Sequence, residues 1–200
     1  MQTTLVFESR KKRVRLQEGD IVFTRWPRLF TSVLIASLND GMSHVGMLVA
    51  FDGKLYIAEA TLSVAPLPDD HFLKNSNGQI VRNGVHAQLV DDSFSRAKHM
   101  WVLRPTTPYT TEQLDAIRVQ IKRIMDLSDG NLKNHTYEKS FLSLEYLHAA
   151  MGWLPSTKTR YMCSETVAVL LRAAGRWEYT TSVMPIHLRD RIPGEFLRVF

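Results

Sequence analysis

One cysteine, Cys163, among 200 residues excludes an intramolecular disulfide and leans toward a reducing compartment. Long hydrophobic runs are equally scarce. The most apolar stretch, Leu29 to Leu38, is broken by Thr31, Ser32 and Ser37 and falls well short of the ~20 residues a helix needs to cross a bilayer. No membrane span is expected. Nor is a secretory leader, because the N-terminal basic cluster runs into Leu16-Gln17-Glu18-Gly19-Asp20 instead of an apolar segment. A cytoplasmic or virion-associated location is the corresponding expectation.

Other signatures are missing too. There is no internal repeat, low-complexity segment, P-loop or Gly-x-Gly-x-x-Gly fingerprint. No Cys/His finger or RNP-type aromatic motif accompanies the basic residues, which leaves nucleic-acid recognition a minor reading. Glu145-x-x-His148 has the spacing of a di-iron ligand pair but no second such pair exists, and Asp69-Asp70-His71 and Asp91-Asp92 lack zinc or calcium spacing. The expectation is a protein without cofactor or metal.

What is present suffices for one folded domain. With 44% hydrophobic and 10% aromatic residues, a chain of this length removes roughly 70% of its unfolded surface from water on folding, so its core needs no covalent staple. The formal charge of +5 equals the contribution of Arg10, Lys11, Lys12, Arg13 and Arg15. Residues 1–18 therefore read as a basic arm, either simply solvated or resting on an anionic surface such as lipid or nucleic acid. Residues 19–200 read as a single catalytic domain.

Along that domain, residues 19–24 read as a short strand and residues 28–38 have helical spacing. His44 to Phe51 and Lys54 to Thr61 flank Asp52-Gly53, a strong hairpin signal. Strands are expected at 85–90 and 100–104. A helix is expected from Thr111 to Leu127, capped by Thr110 and Gln113, with Leu114, Ile117, Ile121, Ile124 and Leu127 on one face. Residues 140–151 look helical, 155–159 look like a loop, and a last helix runs from Cys163 to Gly175. The fold class is α+β: a mostly antiparallel sheet flanked by helices.

The hairpin carries chemistry. A two-residue turn at Asp52-Gly53 opposes Phe51 to Lys54 and His44 to Thr61, placing Glu59 on the His44 face one diagonal step away. A carboxylate beside an imidazole fixes its tautomer and favours its protonated form. The plainer reading is a satisfied core histidine beside a structural carboxylate. Cys163, at a helix start, gains thiolate character from unpaired N–H groups and the helix dipole, although an inert small apolar residue would fit that place as well.

Taken together, Gly19-Asp20-Ile21-Val22-Phe23, Ser43-His44-Val45-Gly46-Met47, Ala58-Glu59-Ala60-Thr61 and Tyr161-Met162-Cys163-Ser164-Glu165-Thr166-Val167 form an ordered set. In that set the chain resembles the permuted papain-like amidases of the YiiX type, relatives of the NlpC-type cell-wall peptidases and of the lecithin:retinol acyltransferase group. The resemblance spans Gly19 to about Gly175. It implies a circularly permuted papain-like fold in which Cys163 is the nucleophile, His44 the general base and later acid, and Glu59 the orienting third member. A cysteine hydrolase cleaving an amide, peptide or N-acyl, through a thioacyl-enzyme is the leading expectation. A lipid-directed acyl hydrolase or acyltransferase on the same residues, or a silent binding or structural module, are the alternatives. Residues 66–84 and 128–160 read as elaborations, and Phe141, Leu144, Leu147, Met151, Trp153 and Leu154 fit a sheet-covering helix or an acyl pocket.

Overall fold

The computed structural model describes residues 3–9, 12–25, 39–61, 67–82, 84–95, 97, 99–127, 163–179 and 183–199. The helices expected at 28–38 and 140–151 and the loop at 155–159 lie outside the described residues.

Asp52 (φ 50°) and Gly53 (φ 73°) both adopt the left-handed region, as a type I′ turn requires. They join β4 (His44–Phe51) to β5 (Lys54–Thr61) in the register that the turn dictates, from Phe51 opposite Lys54 to Met47 opposite Ala58. That ladder does not continue to His44 and Thr61. Instead, the first residues of β4 pair with β3 (Ile21–Arg25), placing His44 opposite Thr24, and the last residues of β5 pair with β6 (Gly84–Leu89), placing Glu59 opposite His86. β7 (His99–Pro105) and β8 (Gly194–Arg198) complete an antiparallel six-stranded sheet in the order β6-β5-β4-β3-β7-β8. The chemistry-bearing hairpin is thus interior.

Strand alternation divides the sheet into two surfaces. One carries Phe23, Val45, Met47, Ala58, Ala60 and Ala87 and is covered by α2 (Thr111–Leu127) and α3 (Cys163–Ala173). A short α1 (Val90–Ser95) leads from β6 toward β7. In α2 the buried residues are Leu114, Ile117, Ile121, Ile124 and Met125, each stabilising the fold by about 1.5–3 kcal/mol on removal from water. Leu127, expected on that face, is exposed at the C-terminal end of the helix. The expected cap is present: Gln113 N–H donates to the Thr110 hydroxyl and Thr110 N–H to the Gln113 side chain. Gly175 (φ 66°) terminates α3, with Arg176 N–H returning to the Leu171 carbonyl.

The opposite surface carries Val22, Leu48, Leu55, Ile57, Met100 and Val102. Here the N-terminal segment departs from a solvated arm. β1 (Thr4–Ser9) and β2 (Lys12–Gln17) form an antiparallel hairpin whose Leu16 is fully buried against this surface, with Leu5 and Val14 packed beside it. The physical reason is alternation: Val14 and Leu16 share one face of β2, so the basic residues between them do not prevent burial. Two buried carboxylates secure the end of this hairpin. Asp20 is held by Arg104 at 2.9 and 2.7 Å and accepts from Gln17 N–H, and Glu18 accepts from Arg118 and from Ala50 N–H. Burial still raises the Asp20 pKa, despite Arg104. Gly19 between them adopts φ 90°, and a Cβ there would lie 2.6 Å from the Tyr109 ring. The Gly19-Asp20 pair is accordingly a structural clasp. A final helix, α4 (Pro185–Arg191), packs on α3.

Candidate functional site

His44 is the first residue of β4, and Cys163 is the first residue of α3, which packs across β4 and β5. The two meet at the end of the strand. Gly46 makes close strand approach possible, because a Cβ there would come within 2.6 Å of Ile57. His44 Nε2 lies 2.6 Å from Glu59 Oε2, with the carboxylate sealed from solvent and the imidazole nearly so. With Nε2 committed to Glu59, Nδ1 is the ring nitrogen left for the sulfur.

Three forces set the charge on that imidazole. Burial opposes protonation, but the charges of Cys163 and Glu59, together with a side-chain hydrogen bond to each, prevail and raise the His44 pKa from 6.5 to about 10. For Glu59, burial favours the neutral acid. The His44 charge and hydrogen bond, aided by His86, overcome it and hold the carboxyl well below its usual range. The structure therefore brings together all three residues singled out from the sequence, in the order sulfur, imidazole, carboxylate. Cys163 itself is buried.

Other residues at this place were missed. Gln88 donates its side-chain amide to Glu59 Oε1. His86, fully buried, stands directly across the ladder from Glu59 with Nε2 3.6 Å from Oε1, beyond hydrogen-bond reach, while Nδ1 lies 3.2 Å from the Gly84 carbonyl. Thr24, opposite His44, has a buried hydroxyl without a hydrogen-bond partner among the described residues. A signal existed in the sequence: His86 and Gln88 alternate with Val85, Ala87 and Leu89, which puts two polar side chains on one strand face. Glu165, in the first turn of α3, is also buried.

Of the basic cluster, Arg10 and Lys11 lie outside the described residues. Lys12, Arg13 and Arg15 lie on β2, where Arg15 reaches the Thr4 hydroxyl.

No family model matches the chain, and no curated protein matches it. Among solved structures it is similar to the metalloprotein YiiX from Escherichia coli O157:H7, labelled DUF1105, at 18% identity and a TM-score of 0.59, over 92% of this chain and 96% of that one. The fold is thus of the kind seen in YiiX. That neighbour overturns the expectation of a protein without metal, because a metalloprotein is built on a fold of this kind. Among the described residues, no group of three or more His, Cys, Asp and Glu side chains is arranged to hold a metal ion. The comparison likewise lends no support to a peptide, N-acyl or lipid substrate or to an anionic surface as partner of the basic cluster. No helix among the described residues is long and apolar enough to cross a membrane.

Proposed function

We propose that the protein is a cysteine hydrolase of the permuted papain-like kind, related to the NlpC-type group, cleaving an amide through a thioacyl-enzyme on Cys163, His44 and Glu59. The observation that carries this reading is the buried chain from Glu59 through His44 to Cys163, with the imidazole pKa raised to about 10 by its two partners.

In the reactive pair His44 holds the proton and the sulfur supplies the electron pair. The sulfur attacks the amide carbonyl carbon, a C–S bond forms, and the carbonyl electron pair moves to oxygen, where the main-chain amide at the start of α3 can donate to it. His44 then gives its proton to the departing nitrogen as the C–N bond breaks, leaving the thioacyl-enzyme and free amine. Water next loses a proton to His44 and attacks the thioester. When the C–S bond breaks, carboxylic acid is released and the original pair is restored. Glu59 keeps Nε2 engaged throughout, so Nδ1 stays directed at the reacting atoms and the imidazolium stays compensated.

The test is acyl-probe capture at Cys163, with iodoacetamide alkylation as a second readout. Rapid labelling at neutral pH, sharply slowed in His44→Ala, is the expected result. Slow labelling indifferent to His44, with no probe capture, would leave a papain-like shell without turnover.

A further inference from the structure

Glu59 lies between two imidazoles, and the ladder favours the wrong one. Its direct cross-strand partner is His86, yet its carboxylate pairs with His44. Oε1, the oxygen nearer His86 Nε2, is already taken by the Gln88 amide, and Nε2 remains without a hydrogen-bond partner among the described residues. Both imidazoles and the carboxylate are removed from water, so solvent does little to dilute the competition between them.

We propose that Gln88 is a positioning residue that directs Glu59 to His44 by occupying the oxygen that His86 would otherwise claim. This rests on the cysteine-hydrolase reading above and goes beyond it by naming what selects the third member's partner. Gln88 sits diagonally across the ladder from Glu59, opposite Ile57, with strand alternation presenting it to the same face. A neutral amide is well matched to this role, since it donates to the carboxylate without supplying a positive charge that would compete with His44. Without that donor, the carboxylate can turn toward His86, whose Nε2 becomes a donor once the ring proton leaves Nδ1 and the Gly84 carbonyl, and His44 loses both its anchor and its compensating charge.

The experiment compares iodoacetamide alkylation of Cys163 against pH in the full chain for the wild type, His44→Ala, Gln88→Met, His86→Phe and Gln88→Met/His86→Phe. Thermal melting of each variant establishes that it is folded. Gln88→Met keeps the shape and loses the donor, and should slow neutral-pH alkylation by roughly tenfold, the worth of a hydrogen bond to a charged group. His86→Phe, which removes the competitor along with its minor support of the Glu59 charge, should lose far less rate than Gln88→Met. Removing the competitor in the double variant should recover most of the rate lost in Gln88→Met, a rescue that a merely structural role for Gln88 does not predict.

Wild-type kinetics in Gln88→Met, or a double variant no faster than Gln88→Met, overturns the proposal. So does a His86→Phe variant as slow as His44→Ala, a comparison that stands even if Gln88→Met does not fold. A wild type that labels slowly and is indifferent to His44→Ala instead defeats the hydrolase reading, and the two failures are therefore distinguishable.

Discussion

The two surfaces of the central sheet are built from the same strands but solve different problems. One is apolar across its centre and covered there by α2 and α3. The other is apolar where the N-terminal hairpin covers it and polar at one end, where Thr24, His44, Glu59, His86 and Gln88 are buried together. Burial of hydrocarbon needs only volume and pattern to be favourable, whereas burial of ionisable groups requires a partner for each charge. The difference teaches where tolerance ends: the helix-covered surface should answer to substitution in stability, and the polar end in reactivity and pH dependence.

The largest expected contrast follows from Cys163→Ala. If the sulfur is the nucleophile, amide turnover should fall by at least about 10³-fold while the folding free energy moves by less than about 1.5 kcal/mol. Hydrolysis assays beside thermal melts check this, and comparable turnover in the variant would end the assignment. Ile121→Ala, on the helix-covered surface, should do the reverse. It should cost about 2–5 kcal/mol of stability, read by urea denaturation, with Cys163 alkylation of the folded fraction unchanged.

A subtler contrast concerns pH. The lowered Glu59 pKa contributes stability that is present above the ordinary value of 4.5 and is lost as pH falls toward the folded value. The raised His44 pKa contributes stability that is fully present below 6.5 and is lost as pH rises through about 10. Melting temperature should therefore be highest between about 4.5 and 6.5 with respect to this pair, and decline on both sides. Glu59→Gln and His44→Ala should each flatten that profile, while Ile121→Ala should lower it without changing its shape. The smallest effect is expected at the α2 cap, where Thr110→Ala should cost about 1 kcal/mol, measurable as a modest loss of melting temperature.

The parts of the fold legible in the sequence are those set by local rules. Asp52-Gly53 dictates a hairpin register, and the 3.6-residue pattern of α2 with its Thr110–Gln113 cap marks that helix within its first turn. The site is legible for the same reason, since the His44 and Glu59 strands are joined by a two-residue turn and Cys163 opens a well-marked helix. Less legible are segments whose structure depends on distant partners. β1 and β2 hide an apolar face beneath a run of basic residues, and β8 completes the sheet from far along the chain, opposite β7. Alternation marks Gln88 as sharing a polar strand face with His86, but nothing adjacent to it in the chain shows that Glu59 will stand diagonally across from it.

Local sequence determined which residues could do chemistry, because turn type, strand alternation and helix starts are short-range properties of the backbone. Only the tertiary structure decided which of them meet. The packing of α3 against β4 brings the sulfur to the imidazole, and the β5–β6 ladder sets two imidazoles and an amide around one buried carboxylate. Both depend on long-range contacts whose closure only the packed core can stabilise.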